Sequence, residues 1–156
     1  MSKVYVEVEG MIDAPAQEVY DIISDYEHGH PHILPKEHFS DLVVEEGGKG
    51  AGTIIRFRNK AGGVERSYRM RISEPEPGHV LVEKDTNGTD LATTFTVTSV
   101  DGSKSGVRIS TEWTASDGVQ GLVERLFAPR MLRPVYKKEL RQLAEYARGG
   151  RAPVTA

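Results

Sequence analysis

Apolar and polar positions alternate along most of this chain, and only near its end does the repeat lengthen to helical spacing. Across residues 3–12, Val4, Val6 and Val8 share one parity while Tyr5, Glu7 and Glu9 share the other, the pattern of a half-buried strand. Asp13-Ala14-Pro15 then predicts a helix start, because proline suits the first helical position. Glu18 falls where the helix dipole favours an anion, and Val19, Tyr20, Ile22 and Ile23 form an apolar side that ends near Ser24-Asp25. Residues 26–39, punctuated by Pro31 and Pro35, read as irregular or as a single short helical turn. Strands are predicted at 41–46, 53–59, 64–73, 80–84, 91–100 and 107–115. Turn signals at Gly47-Gly48, Ala61-Gly62-Gly63, residues 75–78, Asn87-Gly88 and Asp101-Gly102 separate them.

Residues 117–148 carry the only long helical pattern. Val119, Leu122, Val123, Leu126 and Phe127 begin an apolar stripe that Leu132, Val135, Leu140, Leu143, Ala144 and Ala147 continue. Asp117 is the predicted N-cap and Gly149-Gly150 the stop. Pro129 and Pro134 each remove an amide donor, so a kink or short break is expected beside them. The order is thus one strand, two short helices, six strands and a long helix. Short glycine-marked connections between successive strands imply an antiparallel sheet, and the helix needs a concave apolar surface to receive its stripe.

That order, together with IDAPAQEVYDIISDY (residues 12–26), GGKGAGTIIRF (47–57) and RISTEW (108–113), resembles the START-related helix-grip superfamily. Within it, the similarity is to the polyketide cyclase/dehydrase-like (SRPBCC) branch and spans residues 4–148. The resemblance implies an α+β fold in which a curved seven-stranded antiparallel sheet wraps a long C-terminal helix. Two short helices follow the first strand, and sheet and helix enclose a hydrophobic cavity with the early helices and glycine-rich loops at its mouth.

Composition narrows the function classes. A chain of 156 residues reads as one domain over 1–150 followed by a flexible tail at 151–156. The net charge of −3 and isoelectric point near 6.0 exclude a general nucleic-acid binder. Basic residues gather in the last helix, but Glu124, Glu139 and Glu145 interleave with them, the pattern of a solvated face. The chain has no cysteine, which removes disulfides, thiolate metal sites and cysteine nucleophiles. MSKVYVEVEG lacks the apolar centre of a signal peptide and no run is long enough to span a bilayer, so a cytoplasmic monomer or homodimer without stable membrane insertion is expected.

Strand parity identifies the face turned toward the helix. Between 64 and 73, Arg66, Tyr68, Met70 and Ile72 oppose Glu65, Ser67, Arg69 and Arg71. The same arithmetic turns inward Thr53, Ile55 and Phe57, then Leu91, Thr93, Phe95 and Val97, then Val107, Ile109, Thr111 and Trp113. Arg66, Tyr68, Thr93, Thr111 and Trp113 are the polar or amphipathic members; they are core residues with satisfied polar tips, or they orient a ligand in a cavity. The expected lining is Phe57, Arg66, Tyr68, Met70, Thr93, Phe95, Thr111 and Trp113 from strands, with Leu126 and Met131 from the helix.

His28, His30, His32 and His38 are clustered in EHGHPHILPKEH, with Glu27 and Glu37 among them. Alternating imidazoles suggest a metal site on an extended chain, but Gly29 and Pro31 make this backbone irregular, and surface histidines with no metal are expected. His32, beside the apolar Ile33-Leu34, is the one placed to reach the cavity mouth as a base. No nucleophile elbow, phosphate loop or dinucleotide fingerprint is present, and no cofactor is implied. The leading expectation is transport, storage or sensing of a small hydrophobic or amphipathic molecule: a lipid, polyketide or aromatic metabolite. The alternative is a polyketide aromatase/cyclase or dehydrase in the same cavity, with Tyr68, Arg66 and His32 polarising carbonyls or moving protons. A surface-acting toxin partner or stress protein is a third class.

Overall fold

In a computed structural model describing residues 2–150, β1 (Lys3–Ile12) is followed by α1 (Ala16–Ser24) and a 3-10 turn at His30–His32. Then come β2 (Phe39–Glu46), β3 (Ile54–Ala61), β4 (Val64–Glu76), β5 (Val80–Asp85), β6 (Ala92–Asp101), β7 (Lys104–Thr114) and α2 (Gly118–Glu145). The helical path continues as a π-helical segment, Tyr146–Gly150, so Gly149 does not stop it abruptly. The tail expected at 151–156 lies outside the described residues. All pairings are antiparallel and the strands run β1-β7-β6-β5-β4-β3-β2, one seven-stranded sheet with β1 and β2 at its edges. This is the helix-grip α+β fold. Among the described residues no helix is long and apolar enough to cross a membrane.

Pro15 occupies the N-cap of α1 rather than its first turn, with its carbonyl accepting from Val19 N–H at 3.1 Å. The C-terminus of α1 is stitched to the glycine-rich β2–β3 loop: Gly50 N–H donates to Ser24 C=O at 2.9 Å and Tyr26 N–H to Gly48 C=O at 2.8 Å. Gly50 holds φ near 67°, and a side chain there would meet Glu74. The backbone freedom of glycine is what brings this loop against α1.

The two halves of α2 differ. Val135, Tyr136, Leu140 and Leu143 are buried, and Leu140 packs onto β1, where a Cβ on Gly10 would sit 3.4 Å from its Cδ1. In contrast Val119, Leu122, Val123, Leu126, Phe127 and Met131 are all exposed, Val119 to 78%. The apolar stripe is therefore not one buried face. Its second half is core, whereas its first half stands over open space. Asp117 occupies the N-cap but its side chain makes no capping hydrogen bond. The helix is continuous across Pro129 and Pro134, so neither breaks it. The carbonyls these prolines leave without an amide belong to Arg125 and Arg130, both exposed residues.

Candidate functional site

The space under the first half of α2 is a cavity of about 660 Å³. Its walls come from β2 to β7, from α2 and from the segment around the 3-10 turn, and β4, β6 and β7 face it in the parity read from the sequence. Phe57, Arg66, Tyr68, Met70, Thr93, Phe95, Thr111 and Trp113 line it from the strands, and Met131 from the helix. Leu126 does not; it points to solvent, half exposed, one position off the lining face that Val123, Phe127 and Met131 define. At the outer end lie the exposed Val64, Arg66, Phe127 and Met131. Gly62, at the β3–β4 turn, comes so close to α2 that a Cβ would lie 2.5 Å from Met131 Cε. Tyr68 stacks on Phe57 with ring centroids 5.6 Å apart. Burial raises its hydroxyl pKa, opposed by the Arg66 charge. Trp113 is tethered to the helix, its indole N–H donating to Glu124 at 3.1 Å.

The inner end is polar; sequence parity turns Thr93 and Thr111 inward, whereas Glu83, Tyr136, Glu139 and His30 were not found from it. Register pairs Glu83 with Thr93, Thr93 with Thr111 and Thr111 with Val6, placing all four on one row across β5, β6, β7 and β1. Thr93 and Thr111 hydroxyls are 2.7 Å apart, and Thr111 lies 2.6 Å from the Tyr136 hydroxyl. Glu83 is buried, and it accepts from the Tyr26 hydroxyl at 2.6 Å. Glu139 projects from α2 into the same space with only 2% of its surface exposed. Its carboxyl has no hydrogen-bond partner among the described residues. Burial, and secondarily the charge of Glu83, holds its pKa well above the usual carboxylate range. The solvated-face reading of Glu139 is therefore corrected. Counting from Val135, Glu139 and Leu143 fall at i+4 and i+8, so helical arithmetic already put it on the buried side.

The histidines divide. His30, not His32, faces the cavity; it is 2% exposed, stacked on Tyr26 at 4.4 Å and edge-on to Phe95 at 5.5 Å. Its Nδ1 lies 2.8 Å from the Ile23 carbonyl, which can only accept, so Nδ1 carries the proton. In the neutral ring Nε2 is then a bare lone pair, 3.6 Å from Glu83 Oε2. Burial depresses the His30 pKa, opposed by Glu83. His32 stacks on Tyr146 at 4.7 Å in an open surface depression on the far side of α2, which removes it from the cavity chemistry. His28 is exposed and His38 bonds the Lys60 carbonyl. No group of three or more His, Cys, Asp or Glu suited to a metal occurs among the described residues.

These environments have a measurable consequence. Glu139 keeps its proton in the folded protein above the ordinary carboxyl pKa of 4.5, while the unfolded chain loses it. Below that pH both states are protonated and nothing is lost; as pH rises above it, the unfolded state binds fewer protons and stability falls. His30 has the opposite sign: unfolded, it takes a proton below its ordinary 6.5 that the folded protein resists, so its contribution is lost as pH falls. Glu139→Gln should therefore leave the melting temperature nearly unchanged at about pH 4 and raise it at about pH 8. The gain is that of the removed proton linkage, about 1.4 kcal/mol for each tenfold difference in proton affinity between the folded and unfolded chain, and each kcal/mol moves a chain of this size by roughly 2–4 °C. Equal shifts at both pH values, by scanning calorimetry, would contradict a neutral buried Glu139.

The model of the family described as "Polyketide cyclase / dehydrase and lipid transport" matches residues 3–148. Among solved structures, the KanY protein is similar over 96% of this chain and 100% of its own, with 31% identity and a TM-score of 0.82. The Zhui aromatase/cyclase of a Streptomyces species shares 14% identity at a TM-score of 0.77, covering 94% of each chain. A START superfamily protein from Mycobacterium smegmatis shares 11% identity at a TM-score of 0.71, covering 92% of this chain and 96% of that one. At such identities the last two are likenesses of fold alone. No curated protein gives a significant match.

Proposed function

The chain belongs to the polyketide cyclase/dehydrase and lipid transport family, and from that premise we propose that it binds one small amphipathic molecule in the cavity beneath α2. The apolar body rests against Phe57, Met70, Leu91 and Leu132, and the polar end lies against Glu83, Glu139 and His30. The observation that carries this reading is the cavity itself. Its 660 Å³ lies within the ~300–1,000 Å³ usual for ligand sites, and its mostly apolar wall ends in convergent polar groups. A solid core would instead have placed Val123, Phe127 and Met131 against the sheet.

Met70→Trp separates cavity from core. Overpacking a filled core costs ~1–3 kcal/mol, whereas an indole entering open space should leave stability within about 1 kcal/mol of wild type. Nile red should bind the wild-type protein with blue-shifted emission and perturb Trp113, and its affinity for Met70→Trp should fall about tenfold, an effect of ~1.4 kcal/mol. Absence of dye binding together with clear destabilisation by Met70→Trp would remove the cavity and the binding function with it.

A second reading is acid–base catalysis in the same cavity, as a cyclase or dehydrase. It is favoured by one observation: Glu139, held toward its protonated form by burial, and a bare imidazole nitrogen of His30 line one cavity. It moves the acid–base roles from Tyr68, Arg66 and His32 to Glu139, Glu83 and His30, leaving Tyr68 and Arg66 to contact the outer part of the ligand.

A further inference from the structure

The charges lining the cavity are lopsided. Four carboxylates, Glu83, Asp90, Glu124 and Glu139, face one guanidinium, Arg66. The outer two carboxylates are engaged: Asp90 accepts from Thr114 N–H at 2.9 Å and meets Lys3 at 3.7 Å, and Glu124 holds Trp113 and the Ser116 N–H. Arg66 is exposed at the outer end, where its charge is felt by Glu124 and Tyr68. Among the described residues no lysine or arginine pairs with the inner two carboxylates, and the basic group beside Glu83 is His30, whose charging is opposed by burial. Glu83 accepts one hydrogen bond, from the Tyr26 hydroxyl, and Glu139 accepts none among the described residues. Glu139 is thus a buried acid at the cavity wall with a second buried acid, Glu83, beside it.

We propose that the inner end of the cavity is a subsite for a protonated amine, and that the ligand is an amphipathic amine whose ammonium is held by the Glu139 and Glu83 carboxylates. This rests on the binding function proposed above and narrows its ligand class. An ammonium supplies three donors, which matches the acceptor oxygens of the two carboxylates. A ligand carboxylate meets the reverse situation: it would bring a third negative charge into a low-dielectric space that offers it no fixed cation. Neutral alcohols sit between the two, gaining one hydrogen bond from the Glu139 acid without charge pairing. Binding of the ammonium exchanges the proton on Glu139 for the ligand cation, so one proton is released to buffer.

Tryptamine, tryptophol and indolepropionic acid share a skeleton and differ at the polar end. Isothermal titration calorimetry of the wild-type protein near neutral pH should rank them amine, then alcohol, then acid, with tryptamine at least about tenfold tighter than tryptophol. Repeating the tryptamine titration in buffers of different ionisation enthalpy should show proton release approaching one per ligand. Glu139→Gln should reduce the amine-to-alcohol ratio to near one, and Glu83→Gln should lower it in the same direction. Tryptophol binding as tightly as tryptamine to the wild type would overturn the amine subsite; so would failure of all three while Nile red still binds. Failure of all three together with Nile red would instead remove the cavity reading itself. The wild-type ratio decides even if neither variant folds.

Discussion

Ending the chain at Ser116 should leave no cooperatively folded protein. The lost segment buries Val135, Tyr136, Leu140 and Leu143. At ~1.5–3 kcal/mol for each fully buried side chain, their removal forfeits about 6–12 kcal/mol, comparable with the whole ~5–15 kcal/mol stability of an ordinary domain. It also uncovers Val4, Val6 and Val8 of β1, an edge strand that would then be free to pair with other chains. The truncated chain should be insoluble or molten, with loss of the near-ultraviolet dichroism of the native protein. Point variants divide the effect along the helix. Leu143→Ala, at a fully buried site, should cost ~2–5 kcal/mol in urea unfolding. Leu126→Ala, on the same predicted stripe but exposed, should stay within about 0.5 kcal/mol. A sharp thermal transition in the truncated chain near that of the full length, or similar costs at Leu126 and Leu143, would contradict the division of α2 into a packed half and a roofing half.

That division explains where sequence reading worked and where it stopped. Alternation located all seven strands and turned Arg66, Tyr68, Met70, Thr93 and Trp113 the right way, because a strand has two faces and a single apolar residue decides between them. Periodicity along α2 names the apolar face, yet it does not say what lies opposite. Leu126 and Leu143 look equivalent until the sheet is placed, after which one meets β1 and the other solvent. Glu139 was misassigned for a related reason: charge type suggested solvent, while its position between Val135 and Leu143 put it inside. Glu83 was hidden by parity itself. β5 carries apolar residues on both faces, Leu81 beside Glu83 and Val80 and Val82 opposite, and pairing with inward Thr93 shows that Glu83 faces the cavity.

The histidine segment failed differently. Every-other-residue reasoning needs extended backbone, and His30–His32 is a 3-10 turn. Gly29 permits that turn to tuck under α1: a Cβ there would lie 2.4 Å from the Ile22 carbonyl oxygen. The close approach swings His30 inward onto Tyr26 and Phe95 and leaves His32 outside. A glycine between two histidines marks irregular backbone, but its direction is a tertiary fact.

On the catalytic reading, Glu139→Gln should abolish dehydration while sparing binding. The β-hydroxyketone made from benzaldehyde and acetone loses water to give benzalacetone, whose conjugation makes the reaction visible by absorbance. The bare Nε2 of His30 or the Glu83 carboxylate takes the proton α to the carbonyl. The C–O bond at the β carbon then breaks, and the leaving hydroxyl departs as water with the proton of Glu139. Proton return from the base to Glu139 through solvent restores the site, so atoms and charges balance. Positioned acid–base groups of this kind are worth ~10²–10⁴-fold. The wild-type protein should therefore exceed buffer, and Glu139→Gln should fall at least ~10²-fold with Nile red affinity retained. Activity should also decline toward high pH as Glu139 ionises, and toward low pH as His30 takes a proton. Tyr68→Phe, at the outer part of the cavity, should change binding by about 1 kcal/mol and turnover little. No wild-type rate above buffer would leave the protein a binder only. A rate that survives Glu139→Gln but falls with Tyr68→Phe would return the acid–base role to the outer end of the cavity, where the inward parity of β4 first placed it.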